Sequence, residues 1–175
     1  MKAARFTGAG IGLLALLLVL VSARPDSRAP DLGARLDLGI TAPGTLGIEP
    51  GAPAPVLSAP SLLDGAPPAE GRAVISNLGN RPVTFRLAVT EKQLAGFGRL
   101  ADVLRLRIVS DRGLLAYVGL PDLRSGSAPV RLGVRDSAAV SIEAWIPAGT
   151  PDTYQGERAD ADLAVRIENP ERGGP

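Results

Sequence analysis

Carboxylates are the main side chains in this 175-residue chain that could do acid–base chemistry, because the sequence contains no histidine and no cysteine. Histidine is the commonest general base and metal ligand, and both zinc-protease signatures and Ser-His-Asp triads require it. Glu143 and Glu157 are the candidates, but the sequence provides neither with a partner. A Ser-Lys pair would need Lys92, the one lysine beyond the first 23 residues. We therefore predict no catalytic residue and no cofactor.

Three aspartates near the C-terminus, Asp152, Asp160 and Asp162, offer oxygen atoms of the kind that bind calcium. Asp160 and Asp162 alternate with apolar residues, which predicts that they lie on the polar face of a β-strand. Carboxylates on such a face are usually solvated. The sequence therefore predicts no metal site.

Arginines supply nearly all of the positive charge, at scattered positions that include Arg105, Arg107, Arg131 and Arg166. This spacing indicates solvated strand faces and not the basic stripe that follows a nucleic-acid backbone. Two of the 19 basic residues lie in the first 23 positions and all 18 acidic residues lie beyond them, so 17 positive charges remain against 18 negative ones. No nucleic-acid partner is predicted.

The N-terminus has the pattern of a secretory signal peptide. Lys2 and Arg5 precede an almost wholly apolar run at 11–21, and small residues follow up to Ala23. The run is shorter than the roughly 20 residues of a spanning helix, which favours cleavage over a retained anchor. We predict a signal peptide at 1–23 and a secreted protein, extracellular or at the cell surface, that meets the membrane only through this peptide before cleavage.

Period-two alternation of apolar and polar residues predicts β-strands through the rest of the chain. The strand candidates are 36–40, 72–75, 83–89, 104–109, 114–118, 130–134, 140–146 and 161–167, and residues 100–103 fit a helical turn. Short strands without long helical periodicity predict an all-β fold, an antiparallel β-sandwich with one or two short helical turns. This pattern fits jelly-roll and immunoglobulin-like topologies equally well. We place a flexible segment at 24–35, the sandwich at 36–169 and a frayed tail at 170–175.

The Pro- and Gly-rich segment 41–68 has two interpretations of nearly equal weight. Its apolar pieces at 46–48 and 56–63 fit short edge strands, since proline cannot donate to the interior of a ladder. A low-complexity linker is the alternative.

Two aromatic residues near the C-terminal strands, Tyr154 and Trp145, are predicted to have structural roles. Tyr154 is predicted to bury its ring in a loop and to bond its hydroxyl to the backbone, while Gly156 permits a positive φ. Trp145 shares a strand face with Ser141 and Glu143. It is either a contact residue on the outer face or a cap over one end of the sandwich, and the usual burial of large aromatics favours the cap.

Several short motifs follow one another along the chain in a fixed order. They are an Asn-Gly turn at Asn77 and Gly79, a turn with Leu100, Asp102 and Leu104, a Tyr117 and Gly119 step, a strand ending at Pro147, and the tripeptide Tyr154, Gln155, Gly156. In this order, over roughly residues 60 to 169, the chain resembles the TasA/camelysin family of secreted bacterial surface and biofilm-matrix proteins. The resemblance implies a jelly-roll-like sandwich and identifies these residues as structural ones.

The resemblance also implies a noncatalytic extracellular structural protein that associates with itself or with related matrix and surface proteins. Fibres in that family can form when the N-terminal segment of one subunit adds as a strand to the next. The candidate donor here is the segment 31–40, with Leu36, Leu38 and Ile40 filling the neighbour's groove. Two alternatives stay open: a camelysin-like metallopeptidase whose metal only Asp, Glu and backbone oxygens would hold, and a monomeric extracellular binding domain.

Overall fold

The computed structural model describes residues 33–51 and 54–168, which form ten strands, two α-helices and two 3₁₀ turns. The strands are β1 (Ala34–Thr41), β2 (Leu46–Glu49), β3 (Leu57–Leu62), β4 (Ala69–Asn77), β5 (Val83–Ala88), β6 (Arg105–Ser110), β7 (Gly113–Gly119), β8 (Val130–Leu132), β9 (Ser137–Trp145) and β10 (Arg158–Glu168). The helices are α1 (Glu91–Gly96) and α2 (Leu100–Val103), and the 3₁₀ turns are Leu120–Ser125 and Asp152–Tyr154.

The strands form two five-stranded sheets, so the predicted all-β sandwich is confirmed. Sheet A has the strand order β3-β1-β10-β5-β8, and sheet B has the order β2-β4-β9-β6-β7. Neighbouring strands are antiparallel except for β1 and β10, which pair in parallel. Parallel neighbours need a long connection, and here the rest of the sandwich supplies it because β1 and β10 are the first and last of the described strands.

The core lies between the sheets and is built from the apolar residues of the alternating strands. In β1 every second residue from Ala34 to Ile40 is buried, and β9 buries Ala138, Val140, Ile142 and Ala144 in the same way. Phe85 and Leu87 of β5 are fully buried. Alternation was therefore a sound guide, since residues two apart on a strand face the same side.

The domain begins slightly earlier than predicted. Ala34 is buried and pairs with Leu62 of β3, so residues 34 and 35 belong to the sandwich and not to a flexible segment. The predicted signal peptide at 1–23, the remainder of the segment up to residue 32 and the tail at 170–175 lie outside the described residues. These assignments stay predictions.

The Pro- and Gly-rich segment 41–68 contributes strands at two sheet edges. β3 is the edge of sheet A and carries Pro60, and β2 is the edge of sheet B. The edge-strand interpretation is confirmed and the linker interpretation is wrong. Proline fits because the outer side of an edge strand needs no ladder hydrogen bond.

Helix α2 lies at the predicted helical turn, whereas α1 was not predicted. Thr90 caps α1: its hydroxyl accepts from the Gln93 amide at 3.2 Å, and the Gln93 side chain accepts from the Thr90 amide at 2.8 Å. This reciprocal capping box has a sequence signature, Thr followed three residues later by Gln, that could have revealed the helix.

Candidate functional site

The predicted donor residues lie in the middle of sheet A. Leu36, Leu38 and Ile40 are 0%, 1% and 5% exposed, and β1 lies between β3 and β10 of its own chain. Leu38 is opposite Ala161 of β10 and Leu57 of β3. β1 therefore fills the groove between β3 and β10 of its own chain in this structure. The prediction placed it in the groove of a neighbouring subunit.

The outer face of the β1–β10 pair is acidic. Asp37 lies directly opposite Asp160, and Asp162 folds over Gly39, where a Cβ would come within 1.9 Å of its Oδ1. A shallow cleft of about 310 Å³ runs between these aspartates and Pro55. The described residues contain no group of three or more His, Cys, Asp or Glu side chains arranged to hold a metal ion.

The Asn-Gly turn is held together by the side chain of Asn77. Its Nδ2 donates to the carbonyl oxygens of Arg81 at 2.8 Å and Gly133 at 2.7 Å, and its Oδ1 accepts from the Gly79 amide at 3.0 Å. Asn77 is 1% exposed. These bonds satisfy the buried Asn77 side chain and tie two loops together, so this motif is structural.

The Leu100–Leu104 turn and the Tyr154–Gly156 tripeptide meet in the fold. Glu157, which directly follows the tripeptide, accepts from the backbone amides of Arg99 at 3.0 Å and Leu100 at 2.7 Å. Leu100 and Leu104 are buried, while Asp102 is exposed and Gln155 is half-buried. The two motifs therefore form one structural unit. Glu157, for which the sequence showed no partner, joins them through these two hydrogen bonds.

We expect Glu157→Ala to lower the free energy of unfolding by about 1–3 kcal/mol, because it removes the charged acceptor of the Arg99 and Leu100 amides at the start of α2. The stability of Glu157→Gln should fall between that of the unmodified protein and that of Glu157→Ala, since an amide has a single acceptor oxygen. Urea unfolding measures both changes. Glu70→Ala is the control: it removes an exposed glutamate that lies opposite Glu143, and its effect should stay within about 0.5 kcal/mol. Equal effects of Glu157→Ala and Glu70→Ala would contradict the capping role.

Tyr154 lies in the core at 0% exposure, as predicted for its ring. Its hydroxyl differs from the prediction, because no hydrogen-bond partner for it lies among the described residues. Burial is the main cause that raises the pKa of Tyr154 above its ordinary value. The backbone of Asp64 offsets part of this rise, although its contact with the hydroxyl does not have the geometry of a hydrogen bond. Gly156 follows with a φ of +74°, a conformation that glycine adopts without strain.

Tyr117 and Trp145 form an aromatic pair on the outer face of sheet B. Their strands, β7 and β9, lie on either side of β6, and the rings meet above β6 with centroids 5.6 Å apart and planes inclined by 39°. Tyr117 is 66% exposed and Trp145 is half-buried. Trp145 is thus a residue of the outer face, and the cap interpretation is wrong.

An open cleft of about 490 Å³ adjoins this aromatic pair, and we call it the aromatic cleft. Its lining residues are Arg105, Tyr117, Val118, Gly119, Asp122, Trp145 and Pro147. Three predicted motif residues, Tyr117, Gly119 and Pro147, therefore come together at one surface. Nothing in their sequence spacing shows this, because they converge only through the pairing of β6 with both β7 and β9.

Arg105 and Asp122 are the charged residues of the aromatic cleft, and sequence reasoning missed both. A Cβ on Gly119 would lie 2.4 Å from Nη1 of Arg105 and 3.1 Å from Oδ2 of Asp122, so both side chains pass close over this glycine. Within the described residues, neither side chain forms an ion pair or a hydrogen bond. By contrast, the nearby Arg107 donates to Glu143 at 2.8 Å.

Comparisons of the chain with models of protein families, with curated proteins and with solved structures find no match. In the described part of the chain, no helix is long and apolar enough to span a membrane. The resemblance to the TasA/camelysin family therefore rests on the motifs themselves.

Proposed function

We propose that this protein is a secreted, noncatalytic structural component of a bacterial surface or extracellular matrix, and that it assembles by exchange of β1 between subunits. The signal-peptide pattern and the TasA/camelysin motifs support the location and the class. The observation that carries the assembly mechanism is the position of β1, the first described strand, with its apolar face buried between β3 and β10.

β1 is suited to exchange because it is connected to the rest of the described fold on one side only. The connection is the short segment 42–45, which contains Pro43 and leads into β2 of the other sheet. A β1 strand from a second copy would restore the same pairs with β3 and β10. Exchange of an identical element preserves its contacts, and when the transfer runs from head to tail it produces filaments.

Removing β1 is a poor test, because it also removes Leu36, Leu38 and Ile40 from the core. A reversible lock is better. Asp37 and Ser58 lie opposite each other in the antiparallel β1–β3 pair, and the Ser58 hydroxyl donates to Oδ1 of Asp37 at 2.6 Å. Opposite residues of such pairs come close enough for a disulfide, and the chain has no cysteine of its own.

The test uses the chain from Arg24 with Asp37→Cys and Ser58→Cys, oxidised at high dilution. We expect the oxidised protein to stay monomeric as concentration rises, and the reduced protein to form oligomers or filaments in light scattering and electron micrographs. Oxidation after assembly should give a ladder of covalent multimers on a non-reducing gel. Asp37→Cys alone is the control and should assemble like the unmodified protein.

The proposed assembly would be contradicted by equal assembly of the oxidised and reduced double variants. It would equally be contradicted if the reduced protein stayed monomeric at every concentration. Casein cleavage that a chelator abolishes would instead support the metallopeptidase alternative.

A further inference from the structure

The aromatic cleft on the outer face of sheet B concentrates a scarce type of side chain. The chain has two tyrosines and one tryptophan, and Tyr117 and Trp145 are two of these three residues. The third, Tyr154, is in the core. A Tyr side chain that is 66% exposed removes little apolar surface from water by itself, so burial explains little of the ring at this place.

The rings provide apolar surfaces with a defined electrostatic character. An aromatic face is negative and its edge is positive, so the faces attract the slightly positive C–H groups of a ligand. The rings are inclined by 39° and neither stacked flat nor perpendicular. Tyr117 in particular leaves most of its surface open to a ligand.

The charged groups of the cleft add a requirement for both donors and acceptors. A guanidinium such as that of Arg105 only donates, and a carboxylate such as that of Asp122 only accepts. Neither has a partner among the described residues. A ligand that satisfies both must accept at one point and donate at a neighbouring one, which hydroxyl groups do.

Gly119 creates the room in which these two groups lie. It stands opposite Arg105 in the β6–β7 pair, and a Cβ there would come within 2.4 Å of the guanidinium. The resulting cleft of about 490 Å³ falls within the size range of small-ligand sites. The positive and negative charges around the cleft balance, because Asp122 lies near Arg105 and Glu143 forms an ion pair with Arg107.

We propose that the aromatic cleft binds a neutral glycan, whose C–H face packs on Tyr117 and Trp145 and whose hydroxyl groups bond to Arg105 and Asp122. Sugars combine an apolar ring face with adjacent hydroxyls, and the cleft presents the matching surfaces. An anionic ligand would meet the carboxylate of Asp122. A proline-rich peptide also packs on aromatic rings, but its prolines have no N–H to donate to that carboxylate.

The test uses the fluorescence of Trp145, the single tryptophan of the chain. The protein from Arg24 is titrated with soluble neutral oligosaccharides of glucose, mannose, galactose and N-acetylglucosamine, and with hyaluronan oligosaccharides and oligoproline as other ligand classes. We expect a saturable fluorescence change with at least one neutral oligosaccharide. The oxidised variant with Asp37→Cys and Ser58→Cys should bind the oligosaccharide as tightly as the unmodified protein, since the cleft lies on the other sheet. This result separates glycan binding from strand exchange.

Variants assign the binding to the cleft. Tyr117→Ala and Asp122→Ala each remove an exposed side chain, and each should weaken binding by about tenfold. Gly119→Ala keeps both rings and should weaken binding by displacing Arg105. Leu114→Ala, on the same strand and 58% exposed, is the control and should bind like the unmodified protein. Thermal unfolding of each variant confirms that it is folded.

The proposal is overturned if no neutral oligosaccharide gives saturable binding, or if only hyaluronan oligosaccharides or oligoproline bind. Unchanged affinity in both Tyr117→Ala and Asp122→Ala would also overturn it, because the sugar would then bind elsewhere.

Discussion

Tyr154→Ala is expected to lower the free energy of unfolding by about 3–5 kcal/mol, the usual cost of removing a buried aromatic ring. Tyr154 is fully buried and is the largest side chain in the core. Its loss leaves a cavity beside the loop in which Glu157 caps α2. Urea unfolding monitored by circular dichroism gives the change in free energy, provided that the slope with denaturant stays constant.

Tyr154→Phe is the matched control, and its expected result is the opposite. Burying a hydroxyl without a hydrogen bond costs about 1–3 kcal/mol, so its removal should raise the free energy of unfolding by about 1 kcal/mol. The described structure provides that hydroxyl with no partner. A loss of stability in Tyr154→Phe would show that the hydroxyl forms a hydrogen bond in solution.

Gly71→Ala is expected to lower the free energy of unfolding by about 1–3 kcal/mol, because the extra methyl group overpacks a closed contact between the sheets. Gly71 is a buried residue of β4, and a Cβ there would lie 2.3 Å from the carbonyl oxygen of Val56 and 2.9 Å from Cα of Leu57. These are backbone atoms at the start of β3, which cannot rotate away as a side-chain tip can. The two strands must therefore move apart.

Gly44→Ala is the control for this substitution. No atom lies within 4 Å of the position of its Cβ, so the effect should stay within about 0.5 kcal/mol. Melting temperatures of the two variants under the same conditions make the comparison. If Gly71→Ala melts at or above the temperature of Gly44→Ala, then the sheets are less closely packed at β3 and β4 than the structure shows.

Much of the fold could be predicted because alternation along a strand is a local property. Alternation with polar residues correctly predicted the buried faces of two strands, which carry Leu36, Leu38 and Ile40 in β1 and Phe85 and Leu87 in β5. β4 shows the limit, since the clear signal began at Arg72 while the strand begins at Ala69. Gly71 carries no side chain that could indicate a buried face, and its role depends on the backbone of β3.

Less of the candidate sites could be predicted, because each is made of residues distant in sequence. Glu157 had no visible partner, since its partners are backbone amides some 57 residues away. Arg105 was interpreted as one of several solvated arginines, and Trp145 as a cap. Only the pairing of β6 with β7 and β9 places these residues beside Tyr117.

Composition and periodicity by themselves determined that this chain folds as an all-β sandwich without histidine or cysteine chemistry. Periodicity suffices because each strand must hide one face, whatever its neighbours are. Which strands become neighbours was decided by the tertiary structure, since pairing depends on contacts between distant segments. That choice set β1 parallel to β10, left the hydroxyl of Tyr154 without a partner in the described core, and brought Tyr117 and Trp145 together above β6.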